Sequence, residues 1–98
     1  IMNKIIDLVI EAVKEVGYDQ KNQPLIDANE DTLLFGENLD SMGIVFLVAN
    51  LEDNISSKIN IDIVLADERA MSQKTSPFRS VKLLAEYAQI LIEEKKGV

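Results

Sequence analysis

The stretch from residue 41 to residue 55 constrains the fold most, because its apolar side chains recur with a helical period on two sides. One stripe has the spacing of a helix face that packs on a core, and it consists of Ile44, Leu47, Val48, Leu51 and Ile55. A second stripe has the same period and continues into two acids, and it consists of Met42, Val45, Phe46, Ala49, Glu52 and Asp53. A chain of 98 residues has few elements that can cover both faces of one helix. We therefore expect the second stripe to dock another protein, with burial on both sides as the alternative.

Two further segments carry one apolar stripe each at helical spacing. The first predicts a helix over about residues 2–16 that ends at Gly17, and its stripe is Met2, Ile5, Ile6, Val9, Val13 and Val16. The second predicts a helix over about residues 81–95, with Ser80 as its N-cap. Its last turn and stop are Lys95, Lys96 and Gly97. With the central helix, these segments predict an all-α chain of three main helices.

The segments between these helices predict connections that are pinned to the core. Residues 17–40 show no sustained period, so we expect a long loop. It is held by the apolar anchors Leu25, Ile26, Leu33, Leu34 and Phe35. The alternating isoleucines of residues 59–63 predict a short extended piece, and residues 66–71 predict one short helix. No stretch resembles a linker between two cores, so residues 1–98 are predicted to be a single domain.

The composition excludes several classes of function. The chain has no cysteine and no histidine. Disulfides, thiolate ligands and a cysteine nucleophile are therefore excluded, and a serine nucleophile would lack its usual base. The longest apolar run covers residues 44–49, far fewer than the roughly 18 residues of a membrane-spanning helix. The N-terminal residues lack the order of a signal peptide. We expect a cytoplasmic protein without a membrane span.

The net charge of −7 is concentrated around the central helix. Residues 19–57 hold eight acids and one base, whereas the rest of the chain holds nine of each. Phosphate binding needs a basic face, so nucleic acid is not the expected partner. A basic protein surface is the natural complement of the acidic region. Acidic loops that only promote solubility are the alternative.

One acidic segment resembles a calcium-binding loop without meeting its requirements. Asp27, Asn29 and Asp31 match the first three ligand positions of an EF-hand. Thr32 stands where that loop needs glycine, and Asn38 stands where it needs a bidentate glutamate. We expect no metal site.

Asp40 and Ser41 stand where the N-cap of the central helix belongs. Either side chain can accept a hydrogen bond from a first-turn amide, which is the commoner role of a serine at this position. A catalytic Ser41 would need a base and a nucleophile elbow, and the sequence offers neither. Modification by another enzyme needs neither. A phosphate ester on Ser41 would lie at the positive end of the helix dipole.

The segment "LFGENLDSMGIVFLVANLED" resembles the acyl carrier proteins and the wider phosphopantetheine-attachment domains. Their hallmark is D-S-L at the start of the second helix, and the matching residues here are Asp40, Ser41 and Met42. The approach to the motif is similar at Phe35, Gly36 and Leu39. The segment "SVKLLAEYA" resembles the final helix of the family. The resemblance therefore extends over nearly the whole chain and keeps the family's order of elements.

The resemblance implies an up-down bundle of three main helices plus one short helix, forming one carrier domain. It implies that a magnesium-dependent phosphopantetheinyl transferase attaches 4′-phosphopantetheine from coenzyme A to Ser41, beside Asp40. The arm would supply the thiol that the chain lacks. It would hold an acyl intermediate as a thioester for partner enzymes of fatty-acid, polyketide or related biosynthesis. The chain itself would be a non-catalytic monomer, and those enzymes would dock on Met42, Val45, Phe46, Ala49, Glu52 and Asp53.

Departures from the family pattern indicate a specialised carrier. Carriers of fatty-acid synthases usually have acids at the positions of Gly43 and Phe46, and residues 72–80 are longer than the usual joint before the last helix. One alternative is an aminoacyl or D-alanyl carrier that an adenylate-forming ligase loads. Another is a helical interaction module in which Ser41 stays unmodified and the second stripe binds one protein permanently.

Overall fold

The computed structural model of the protein describes residues 2–65 and 77–97. Within these two ranges the chain forms four helices and no β-strand. The helices are α1 (Met2–Gln20), α2 (Gln23–Ile26), α3 (Ser41–Ile59) and α4 (Val81–Lys96). The prediction of an all-α chain is confirmed for this part. The short helix predicted over residues 66–71 lies outside the described residues.

Helix α1 is the centre of the arrangement, because it packs against each of the other three helices. It runs antiparallel to α3, since Glu11 pairs with Lys58 while Glu15, further along α1, accepts a hydrogen bond from Asn50. The core beneath is apolar, and no polar or charged side chain of the described ranges is buried. The largest fully enclosed side chains are Val9, Val13, Leu25, Leu34, Leu47, Leu51, Ile55, Leu65, Val81, Leu84 and Ile92.

The end of α1 differs from the prediction, which placed it at Gly17. The helix continues to Gln20, and the chain leaves it at Lys21, which has a left-handed φ of 54°. A Cβ atom on Gly17 would lie only 2.8 Å from the backbone nitrogen of Ile26 and 2.8 Å from Cβ of Leu25. Gly17 therefore permits the close approach of α2 to α1, and it does not terminate the helix.

The predicted loop over residues 17–40 is also interrupted by α2. Asn22 caps this helix, and its side chain accepts a hydrogen bond of 3.4 Å from the amide of Leu25. Pro24 lies in the first turn, where the missing N–H removes no helical hydrogen bond. The cap and the proline are helix-start signals, so the prediction of an unbroken loop is wrong here.

Helix α3 extends past its predicted end at residue 55. It runs to Ile59, and Asn60 caps it with a left-handed φ of 63° and an amide that donates to the carbonyl of Ser56 at 3.0 Å. Asparagine tolerates this conformation and caps helices in this way. Ile59 therefore belongs to the helix. The extended piece predicted from the isoleucines is reduced to residues 60–64, which have no regular secondary structure.

The loop before α3 is fastened to the start of α4 by its backbone. Four hydrogen bonds of 2.8 to 3.0 Å join Leu34 N to Arg79 O, Phe35 N to Phe78 O, Val81 N to Thr32 O and Lys82 N to Glu30 O. Ser80 caps α4 as predicted, because its hydroxyl accepts from the amide of Leu83 at 3.2 Å. Residues 30–35 of the loop are thereby held against the start of α4.

The predicted loop anchors reach the core only in part. Leu25 and Leu34 are fully buried, and Ile26 is half-buried. Leu33 and Phe35 are each 44% exposed, so the prediction that they pin the loop to the core is wrong. Their backbones are held by the pairing with α4, and this pairing needs no burial of their side chains.

Candidate functional site

Ser41 is the first residue of α3, and its side chain is exposed. Asp40 is the N-cap, and its Oδ1 accepts a hydrogen bond of 2.8 Å from the amide of Gly43. The sequence left open which of the two residues caps the helix, and the structure shows that Asp40 does. The hydroxyl of Ser41 makes no hydrogen bond to any residue in the described ranges. It is therefore free at the tip of the helix.

A tight turn over residues 34–39 fixes the point at which α3 begins. The amides of residues 37–39 all donate to the carbonyl of Leu34, at 2.9 to 3.2 Å. The amide of Gly36 donates to the carbonyl of Leu39 at 3.0 Å. Gly36 has a φ of 95°, which glycine adopts without steric strain. Because Leu39 is buried at the end of this turn, the helix starts from a fixed position.

Two asparagines brace the turn. Nδ2 of Asn38 donates to the carbonyl of Leu33 at 2.7 Å. Nδ2 of Asn22 donates to the carbonyl of Asn38 at 3.1 Å. Asn22 also caps α2, so its side chain links the turn before Ser41 to the start of that helix.

The Ser41 hydroxyl lies between a helix N-terminus and acidic side chains. The amides of Ser41 and Met42 donate to no acceptor within residues 2–65 and 77–97, so they remain available to an anionic group on Ser41. Glu37 and Asp40 are exposed on the approach to the helix. No base in the described part of the chain is hydrogen-bonded to Ser41.

The second stripe of the central helix lies at the surface. Met42, Val45 and Phe46 are 62%, 61% and 57% exposed, and Ala49 is exposed as well. We call these four residues the outer face of α3. The alternative that α3 is buried on both sides therefore does not hold for this stretch. That the outer face docks a partner stays a prediction.

The two acids at the end of the second stripe have different surroundings. Asp53 is exposed. Glu52 is half-buried, and its Oε2 accepts a hydrogen bond of 2.7 Å from the amide of Leu65. Ser56 likewise donates to Asp62 at 2.7 Å. One oxygen of Glu52 is thus committed to holding the segment after α3 along the helix, which leaves Asp53 as the better-exposed acid.

The structure gives a reason for a glycine at position 43 that the sequence did not reveal. A Cβ atom there would lie 2.7 Å from Cδ2 of Leu39 and 3.4 Å from Nε2 of Gln20. An acid at this position would therefore have to displace the side chain of Leu39, which is buried. Phe46, the other departure from the carrier pattern, has room for any side chain because it points into solvent.

Three residues beside Ser41 were missed as site residues. Gln20, Phe35 and Asn38 line a shallow, open depression to which Ser41 also contributes. Phe35 was assigned to the core because it is apolar. Gln20 gave no signal, because it reaches the site only through the extension of α1 past Gly17. Closeness along the chain to Ser41 was a signal for the other two, and Phe35 also belongs to the approach that resembles the family.

No protein-family model, no curated protein and no solved structure matches this chain. None of the helices within the described ranges is long and apolar enough to cross a membrane.

Proposed function

We propose that the protein is a carrier that holds an acyl intermediate as a thioester on a 4′-phosphopantetheine arm attached to Ser41. The observation that supports this most is the free, exposed hydroxyl of Ser41 beside a helix cap made by Asp40. A serine that served only the fold would be expected to cap the helix itself. Here that role is filled, and the hydroxyl is open to a modifying enzyme.

The residues around Ser41 fit the group. A phosphate on the hydroxyl would lie next to the two first-turn amides that have no acceptor in the described ranges. In the transfer, the oxygen of Ser41 bonds to phosphorus while the pyrophosphate bond of coenzyme A breaks. Adenosine 3′,5′-bisphosphate leaves, and the hydroxyl proton passes to the transferase. The attached arm supplies the thiol for thioester chemistry, which the chain lacks because it has no cysteine.

An up-down bundle of the acyl-carrier type belongs to the same proposal. The antiparallel packing of α1 on α3 and the long connection between them support it. So does the backbone pairing that fastens the loop between α1 and α3 to the start of α4. In this topology Ser41 stands at one end of the bundle, clear of the core.

The outer face of α3 would provide the apolar contact with partner enzymes, which begins one residue after Ser41. Asp40, Glu37 and Asp53 surround it with negative charge, which favours partners with basic surfaces and fast, reversible encounters. The tether keeps the cargo at high effective concentration near a docked enzyme. Because Gly43 carries no charge and Phe46 presents a ring, the partner's contact surface would be more apolar than that of a standard fatty-acid synthase. An aminoacyl or D-alanyl cargo loaded by an adenylate-forming ligase is the alternative.

Intact mass measurement tests the attachment. The protein is incubated with coenzyme A, magnesium and a broad-specificity phosphopantetheinyl transferase. We expect the mass to increase by one phosphopantetheine group. Ser41→Ala should abolish the increase, whereas Ser57→Ala should not, because Ser57 is an exposed serine elsewhere on the same helix. An unchanged wild-type mass would contradict the proposal, and an increase that persists in Ser41→Ala would place the arm on another residue.

A second candidate is a helical interaction module in which Ser41 stays unmodified. The exposure of Met42, Val45 and Phe46 favours it equally, since an uncovered apolar surface marks a contact with another protein. The free hydroxyl of Ser41 has no role in this reading. The mass experiment separates the two candidates, because only the carrier accepts the arm.

A further inference from the structure

The shallow depression beside Ser41 has room for a small organic group. Its lining is mostly polar and includes two acids, Glu37 and Asp40, together with Gln20, Phe35, Asn38 and Ser41. Its volume of about 450 Å³ lies within the range of pockets that hold small organic molecules. The depression is open to solvent, so a flexible chain can bind along it.

The lining combines one aromatic ring with polar groups. Phe35 is 44% exposed, while its backbone is fixed by the hydrogen bond to the carbonyl of Phe78. A ring on a fixed backbone loses little conformational freedom when a ligand packs on it. The side-chain amide of Gln20 makes no hydrogen bond to any described residue, although its Nε2 lies close over Gly43. The depression to which Ser41 contributes therefore also offers one aromatic ring and a side-chain amide without a partner among the described residues.

We propose that this depression seats the near half of the phosphopantetheine arm, an inference that rests on the proposed function. The occupant follows from connectivity, because Ser41 lines the depression and an arm attached there starts at its rim. The arm has groups that suit a ring and an amide. After its phosphate it has a methylene and a carbon with two methyl groups, followed by a carbon with a hydroxyl and then an amide. The methyl groups would pack on the ring of Phe35, and the side chain of Gln20 would hydrogen-bond to the hydroxyl and the amide.

Seating the near half changes what the thiol end can reach. Only the far half of the arm then swings freely, so the thiol samples a smaller volume around the tip of α3. A smaller volume raises its effective concentration at an enzyme docked on the outer face. The turn of residues 34–39 would thus contact the arm directly, and it also fixes the start of α3.

Nuclear magnetic resonance of the loaded protein tests the proposal without an activity assay. The probe is the arm itself, transferred from coenzyme A with ¹³C-labelled methyl groups. We expect cross-relaxation between these methyl protons and the ring protons of Phe35, an upfield shift from the ring, and slower motion than in free coenzyme A. Methyl shifts and relaxation equal to those of free coenzyme A, without contacts to Phe35, would overturn the proposal.

Variants with a matched control make the assignment specific. Phe35→Ala and Gln20→Ala should each return the motion of the arm methyl groups toward that of free coenzyme A. Leu33→Ala is the control, since Leu33 is also 44% exposed on the same loop but does not line the depression. Arm motion that is unchanged in Phe35→Ala, or equally increased in Leu33→Ala, would overturn the seating. A wild-type protein that accepts no arm would overturn the proposed function as well, so the two failures are distinct.

Discussion

The two faces of α3 carry the same kind of side chain and differ in what covers them. The inner face is the core stripe of Ile44, Leu47, Val48, Leu51 and Ile55. Leu47 and Leu51 on this face are fully buried, whereas Met42 and Phe46 on the outer face are more than half exposed. The inner face belongs to the core that α1 organises, and residues 62–65 lie along one edge of the helix. Apolar periodicity thus identifies the faces that can be buried. Whether a face is buried depends on the elements that the rest of the chain places against it.

An uncovered apolar face carries a cost that polar residues would avoid. Apolar surface left in water forgoes about 25 cal/mol per Å² of stabilisation. The chain has ample charge, with 28% charged residues, yet it keeps Met42, Val45 and Phe46 at the surface. The docking of another protein that we propose for this face would explain why these apolar residues are retained. Four substitutions on or beside α3 test the difference between its faces, in decreasing order of their expected effect on the free energy of unfolding.

The largest effect is expected for Leu47→Asp on the inner face. Leu47 is fully buried among apolar side chains, so the new carboxylate would have no partner there. We expect a loss of about 4 kcal/mol or more, which is comparable to the whole stability of a small domain. Circular dichroism should show an unfolded or molten chain at 25 °C. Leu47→Met, which conserves volume, should cost less than about 1.5 kcal/mol. A cooperative unfolding transition of Leu47→Asp at the wild-type temperature would contradict the burial.

A smaller loss is expected for Gly43→Asp at the boundary between the two faces. The added Cβ would meet Leu39 at 2.7 Å, and the carboxylate would be pressed toward the end of α1. We expect a cost of about 1–3 kcal/mol from overpacking, measured as a lower urea midpoint. Val45→Asp places the same group two residues away on an exposed position and should change stability by less than about 0.5 kcal/mol. Equal midpoints for the two variants would mean that Gly43 is not tightly packed.

The sequence predicted the helices correctly where a long apolar stripe identified them. It gave the wrong helix end where that end depended on a single residue. Gly17 has the appearance of a helix stop, but it is buried against Leu25 and Ile26 of α2. Sequence alone does not distinguish a glycine that ends a helix from one that lets another backbone approach. Asn60 did carry a readable signal, since asparagine is a regular C-cap. That signal was outweighed by the alternating isoleucines that follow.

The site was predictable to the extent that it is local in sequence. Asp40 and Ser41 are adjacent and mark the helix start, so both were found. The division of their roles depends on which side chain reaches the amide of Gly43, and the sequence permits either. Gln20 could not be predicted as a site residue, because its position beside Ser41 depends on how far α1 extends.

An intermediate effect is expected for Asp40→Ala, which separates the roles of the two residues at the helix tip. The substitution removes the hydrogen bond from the amide of Gly43 and should cost about 1 kcal/mol. Asp40→Asn is the matched control and should retain most of the capping. Ser41→Ala should change stability by less than about 0.5 kcal/mol, since its hydroxyl bonds to no described residue. Urea denaturation of the unmodified proteins checks all three. A loss in Ser41→Ala equal to that in Asp40→Ala would mean that the serine is a structural cap.

The smallest effect on stability, with the clearest effect on docking, is expected for Phe46→Asp. The side chain is 57% exposed, so a carboxylate there stays hydrated and the thermal midpoint should remain close to that of the wild type. If the outer face docks the transferase, the lost apolar contact should raise the KM for the protein substrate roughly ten-fold, equivalent to about 1.4 kcal/mol, with kcat little changed. Phe46→Leu keeps the apolar contact and should lower affinity much less.

The two readouts for Phe46→Asp decide different questions. A large fall in the thermal midpoint would mean that Phe46 belongs to the core, and the distinction between the faces of α3 would fail. An unchanged midpoint with an unchanged KM would leave the face exposed but show that the transferase does not use it. Only an unchanged midpoint together with a raised KM joins the exposure of Phe46 to docking. Leu47 is the adjacent residue, and Leu47→Asp is expected to unfold the protein. The pair therefore tests whether neighbouring residues of α3 serve folding and recognition separately.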